Sequence, residues 1–372
     1  MKLSEGRIGN AEGIGFLGIA LTVNGLFVLD IAEDYRLGNT AYLAFPAAIL
    51  LGLAVFLLLW GAMRLSGKQS LPALLDHALG KTAGSLVLAL LIGLLLFDAY
   101  CLLSRFVTMV HTLVYGNDTV FTILVWITGT AACIAFLGFE CIGRLAKCFA
   151  PVLLLLLLCE LAIPIESYEA YRLFPLPEDA FSHAAADAVR GSFAALPPLV
   201  LLLCFGNGLQ GLASIRRIGV IAALSAAALT CAAQLCIGMV FGADELQKTF
   251  IPLYELNTKM VAESYFFRLD KVALFLWLIG AVITAAYETY GAANLFCRRF
   301  SRYDARPPVI AFFALLLCSI AAEHAGCYAL LTDLFDFVHR FGAAVLLSVL
   351  ASAAAVSLLK SAWKRRKLHE AQ

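Results

Sequence analysis

The chain has 372 residues, 62% of them hydrophobic and only 14% Asp, Glu, Lys or Arg, with a net charge of +1 and a mean hydropathy of +0.88. Soluble domains carry about 25% charged residues, so this chain cannot coat a water-facing surface. That excludes a secreted disulfide scaffold, a disordered regulator and an ordinary cytosolic enzyme, leaves no basic footprint for nucleic acid, and predicts an all-α polytopic membrane protein.

A hydrocarbon core about 30 Å thick takes roughly 20 apolar residues per helix, and ten such runs, punctuated by charge, form a single transmembrane domain over 1–372. The first, near 11–32, is too long for a signal-peptide core and is followed by further spans, so it is read as a membrane helix. It carries Thr22-Val23-Asn24-Gly25 near its middle, the pattern expected of an interrupted helix. Runs near 41–63 and 83–104 follow; the latter holds Asp98, on a face with Cys101 and Arg105 and close enough to the end of the run to suggest an ion pair at the interface. The run near 119–139 carries no charged residue, and the run near 148–166 holds Glu160, for which an Arg or Lys from a neighbouring helix is the expected partner.

Residues 167–190 form the first long connector, either an interfacial helix or a lid. The sixth run, near 191–213, contains Leu196-Pro197-Pro198 and then Phe205-Gly206-Asn207-Gly208, a second candidate interruption. A run near 217–241 and a second long connector, 243–268, lead to the eighth run, near 272–297. There Gly280, Thr284, Tyr287, Glu288, Gly291 and Asn294 recur every three or four residues on one helix face. A charged group in hydrocarbon costs about 2.5–3.5 kcal/mol, so this stripe faces protein or a water-filled cavity. It reads either as a polar seam between helices or as a substrate or coupling-ion site built on Glu288, with Asp98 and Glu160 as further ion or proton carriers.

Runs near 307–322 and 335–359 complete the set. Asp333, Asp336, His339 and Arg340 at the start of the last run read as an interfacial cap, and residues 360–372 as a basic cytoplasmic tail held near anionic lipid. With both termini cytoplasmic, 18 of the 27 Lys and Arg fall in inner segments, as the preference of cationic segments for the cytoplasm requires. The eleven cysteines lie mostly inside apolar runs and form no CxxC. With no nucleophile elbow, zinc-protease or phosphate-loop motif either, no catalytic residue, metal or cofactor is expected.

The two candidate interruptions lie in spans 1 and 6, five apart, the spacing of a five-plus-five inverted repeat with broken helices 1 and 6. In such folds half-helix ends bind substrate, which makes Thr22, Asn24, Gly25, Pro197, Pro198 and Asn207, with Thr284, Tyr287 and Glu288 opposite, the candidate ligand-binding residues. A carboxylate is expected on freed backbone N–H groups and an amine near Tyr287 and Glu288.

Several segments in order carry a family resemblance: Gly67-Lys68-Gln69-Ser70-Leu71 with Leu79-Gly80-Lys81, Leu103-Ser104-Arg105-Phe106, Phe174-Pro175-Leu176-Pro177 with Gly191-Ser192-Phe193, Ile251-Pro252-Leu253-Tyr254-Glu255-Leu256, and Arg268-Leu269-Asp270 leading into Trp277, Gly280 and Tyr287. With them the chain, from about residue 8 to 359, resembles the spore germination permeases, the B subunits of nutrient germinant receptors, within the amino acid, polyamine and organocation transporter superfamily. Asp30 and Tyr42 stand where that family tends to have Pro and Trp. The resemblance implies an inverted-repeat permease fold with a midplane pocket for a small germinant such as an amino acid. It further implies an A subunit and a lipoprotein C subunit as partners in the spore inner membrane, sensing rather than pumping. An ion-coupled amino-acid transporter on the same fold is the alternative.

Overall fold

The computed structural model describes residues 8–28, 41–114, 120–174, 180–206, 208–241, 243–246, 251–261, 269–301, 304–324 and 337–370. In chain order the helices are α1 (Asn10–Phe27), α2 (Ala41–Ser66), α3 (Leu71–Leu79), α4 (Lys81–Leu113), α5 (Val120–Leu137), α6 (Phe139–Ala162), α7 (Ala180–Leu202), α8 (Leu212–Val240), α9 (Ala243–Leu246), α10 (Pro252–Val261), α11 (Leu269–Phe300), α12 (Arg306–His324) and α13 (Ala343–Glu370). Among the described residues there is no strand, and eight helices are long and apolar enough to cross a membrane: α2, α4, α5, α6, α7, α8, α11 and α13. α1 and α12 occupy the first and ninth predicted spans.

α1 is the axis of the bundle. Thirteen of its eighteen residues are buried, which a helix achieves only when protein surrounds it. It packs on α6, α7, α8 and α11, and its glycines permit the approach: a Cβ on Gly15 would lie 3.2 Å from the Ala146 backbone, and one on Gly25 3.2 Å from Thr230 Oγ1. α2 clasps α7 and α8, and α4 lies along α11. The outer helices turn large apolar side chains outward, Trp126 at 73% exposure and Leu155 at 63%, a surface suited to lipid.

Two expectations are corrected here. Helix 1 is not broken: α1 is one α-helix through Thr22-Val23-Asn24-Gly25, and the Val28 N–H still bonds the Asn24 carbonyl at 3.0 Å. Asn24 does not turn back on its own backbone, because its amide is engaged across the bundle, and Gly25 answers a need for space rather than for a bend. Of the second expected interruption, Pro197-Pro198 do not end the helix but lie inside α7, whereas Phe205-Gly206 do lie beyond its end. That helix starts at Ala180, in the Ala-rich segment read as connector, and the helical pattern fails five residues after the prolines. There Leu203, Cys204 and Phe205 bond back only three residues, and the next helix begins after Gly211, whose φ of +95° suits glycine.

We call the end of the bundle where α1 begins its near end, the end expected to be cytoplasmic. Here the amphipathic α3 ties the bundle together. The Leu71 N–H bonds the Leu203 carbonyl (3.2 Å), and Arg299 on α11 reaches Asp76 (2.9 Å), Ser85 Oγ (2.7 Å) and the Lys81 carbonyl. Lys360 Nζ caps the α3 carbonyls of His77 (3.1 Å) and Ala78 (2.9 Å), the favourable sign for a helix C-terminus.

Candidate functional site

The polar centre is assembled from three helices and one proline. A proline inside a helix has no N–H for the carbonyl four residues earlier, so Pro198 leaves the Ala194 carbonyl without its helical donor. Asn24 Nδ2 donates to that carbonyl at 3.1 Å, to Asp98 Oδ2 at 2.7 Å and, at the long distance of 3.4 Å, to Glu288 Oε1. Asn24, Asp98 and Glu288 are each 0% exposed. Beside them Tyr287, equally buried, donates its hydroxyl to the Pro198 carbonyl at 3.0 Å. Three oxygens in this cluster, Asn24 Oδ1, Asp98 Oδ1 and Glu288 Oε2, find no N–H or hydroxyl donor in the protein, and the Asp98 and Glu288 carboxyls hydrogen-bond each other.

Two aromatic layers bracket the centre. Towards the near end Phe139 stacks on Phe205 (centroids 4.2 Å apart), with Phe16, Tyr287 and Tyr290 against them. Towards the far end Phe27 meets Phe106 at 5.0 Å and Trp277 at 5.4 Å. Phe16 precedes Asn24 by about 12 Å of helix rise and Phe27 follows it by about 4.5 Å, so the polar cluster is closed from both sides.

The predicted residues divide. Asn24, Asp98 and Glu288 meet, with Tyr287 and Pro198 adjacent. Asp98 is thereby corrected from an interfacial ion pair to the core: α4 is 33 residues long and runs well past the predicted end of its span, which puts position 98 mid-helix. Glu160 lies at the far aromatic layer, accepting from Trp277 Nε1 at 3.0 Å. Thr284 bonds its own Gly280 carbonyl at 2.9 Å. Thr22 points away from the centre, into an apolar cavity of about 560 Å³ between α1, α6 and α8. Pro197 lies inside α7 beside Pro198, and Gly25 contributes through its approach to Thr230. Asn207, Asp333 and Asp336 lie outside the described residues. Ala194 is the member sequence reasoning missed; counting back four from Pro198 would have found its carbonyl.

Neither expected interruption presents an anion site. The N–H groups of α1 around Asn24 are bonded within the helix. The chain after α7 is a helix C-terminus, whose carbonyls at Leu203 and Cys204 are taken by Leu71 N–H and Arg298 Nη1 (3.4 Å). Gly206 is wedged there: a Cβ on it would lie 2.0 Å from the Gln69 carbonyl oxygen.

Near the start of α12, Arg306 forks onto Asp304 (2.7 and 2.8 Å) and donates to the Tyr290 hydroxyl at 3.1 Å. The Arg306 hydrogen bond holds the Asp304 carboxyl below its ordinary value. Glu169, in the segment after α6, is likewise lowered by hydrogen bonds from Tyr171 and Arg172.

An apolar helical bundle closed around a buried carboxyl–amide centre is the architecture of a membrane permease. The family described as spore germination protein matches residues 37–325, and the chain belongs to it. Two solved structures share the fold. A complex of MhsT with L-phenylalanine has a TM-score of 0.65 and 16% identity, over 95% of this chain and 90% of that one. Mhp1, a nucleobase-cation-symport-1 family transporter in a closed conformation with bromovinylhydantoin bound, has a TM-score of 0.61 and 14% identity, over 94% and 80%. No curated protein matches the sequence.

Proposed function

We propose that this chain is the ligand-sensing B subunit of a nutrient germinant receptor. In this reading it works with an A subunit and a lipoprotein C subunit in the spore inner membrane, its termini cytoplasmic and its ten helices arranged as two inverted halves of five. The observation that carries the reading is the closed centre of Asn24, Asp98 and Glu288, in a family described as spore germination protein. The similar MhsT structure holds an amino acid, which favours a ligand of that size here. Binding is expected to part the aromatic layers and favour one packing of α1 and α7 against α4 and α11 over another; the ligand shifts that balance only by its differential affinity for the two packings.

Spores carrying Glu288→Gln or Asn24→Ala should need at least tenfold more nutrient to germinate, with the receptor present at parental levels by immunoblot. Parental dose-response curves in both variants would overturn the assignment of this centre.

A second reading, an ion-coupled amino-acid transporter, is favoured by the two neighbouring intramembrane carboxyls, a common composition for proton carriers. Ion-driven uptake of labelled amino acids into proteoliposomes holding this chain alone would support it; saturable binding without flux would support the sensor.

A further inference from the structure

Resting on the sensor reading, we infer that the centre recognises a primary ammonium group, and that a carboxylate on the ligand adds little. Asn24 Oδ1, Asp98 Oδ1 and Glu288 Oε2 find no N–H or hydroxyl donor in the protein, all belong to side chains 0% exposed, and the Asp98 and Glu288 carboxyls hydrogen-bond each other, which requires a proton shared between them. A primary ammonium carries three N–H donors and a positive charge: it replaces the proton that the two carboxyls otherwise share and supplies a donor to the Asn24 carbonyl. Asn24 is the independent witness: its N–H face is spent on Asp98, Ala194 and Glu288, so its carbonyl face is left to call for a donor.

The same surroundings offer an anion nothing. α1 has no free N–H at this level, and the carbonyl-rich end of α7 is already occupied. Arg105, on the Asp98 face of α4, is seven residues or about 10 Å of helix rise further along and is engaged in an interaction of its own. The titratable neighbours from the packed helices are Cys101 on α4 and Tyr287 on α11; neither brings a positive charge. The ligand class is therefore a small amine, with amino acids admitted through their ammonium group.

The test is equilibrium binding to the purified full chain in nanodiscs, with alanine, alanine methyl ester, propylamine and N-acetylalanine as probes and sodium chloride as the inorganic control. Expected is binding of the ester and the amine within about fivefold of alanine, no binding of N-acetylalanine, and at least tenfold weaker binding to Asp98→Asn and Glu288→Gln. Alanine binding without ester or amine binding, or N-acetylalanine binding as alanine does, would overturn the inference while leaving the germinant reading standing. Sodium competing with the amines at millimolar concentration, or none of the four probes binding, would overturn it as well. Amine binding in a chain whose Glu288→Gln spores germinate normally would overturn the germinant reading instead. The probe series on the parent protein needs no variant to fold.

Discussion

The bond between Asn24 and the carbonyl freed by Pro198 makes a demanding prediction. Asn24→Ala removes a donor at 2.7 Å from Asp98 and leaves the buried Ala194 carbonyl unpaired. A hydrogen bond contributes about 0.5–1.5 kcal/mol, and an orphaned buried acceptor costs about 1–3 kcal/mol, so a loss of roughly 2–4 kcal/mol is expected. Pro198→Ala alone supplies an N–H for a carbonyl already bonded, and should change stability by about 1 kcal/mol or less. Together the two changes should not add. The N–H of Ala at 198 then bonds the Ala194 carbonyl as any helix would, recovering about 1–2 kcal/mol of the Asn24→Ala loss. Unfolding of the four detergent-solubilised proteins by a graded denaturing detergent measures the cycle, and the Tyr287 bond to the Pro198 carbonyl is unaffected because it uses backbone. Additivity within about 0.5 kcal/mol would refute the claim that Asn24 stands in for the missing proline N–H.

Other consequences are read by thermal unfolding of the solubilised chain. Gly206→Ala forces the Gln69 carbonyl to retreat from a 2.0 Å approach and should lower stability by about 1–3 kcal/mol, as overpacking does; an unchanged midpoint would mean that the segment after α7 packs otherwise. Trp277→Phe keeps the ring but withdraws the indole donor from Glu160, costing about 1–3 kcal/mol, whereas Glu160→Gln, which keeps an acceptor, should cost less; the reverse order would contradict the pairing. For Asp304 the carboxyl is held below its ordinary value of 3.8 by Arg306. A lowered folded-state value means that its contribution is full above about pH 4 and fades as pH falls through the folded value. The midpoint difference between parent and Asp304→Asn should thus stay constant from pH 5 to 8 and shrink only below pH 4; a difference that varies between pH 6 and 8 would assign it to another group.

Much of this architecture was legible because burial in lipid leaves a plain record. The stripe on the eighth span predicts a protein-facing side, and Thr284, Tyr287, Glu288 and Asn294 are all buried. What misled was reading polar and helix-breaking residues as local events. Asn24-Gly25 resembles an interruption, but the asparagine serves a carbonyl 170 positions away and the glycine a neighbouring threonine, and neither relation has a local pattern. Asp98 looked interfacial because Ser104-Arg105 resembles a span end, whereas α4 runs on to Leu113. The prolines of the sixth span act differently from the interruption expected of them. They free a carbonyl without ending the helix, and only the neighbouring helix reveals what takes it.

The most direct measurement is a density map of the full chain in nanodiscs with saturating alanine or propylamine. The account predicts ligand density between Asn24 Oδ1, Asp98 Oδ1 and Glu288 Oε2, with a nitrogen within hydrogen-bond distance of all three and the aromatic layer of Phe27, Phe106 and Trp277 displaced. Density elsewhere, for instance in the apolar cavity beside Thr22, with the three oxygens as they stand now, would contradict it.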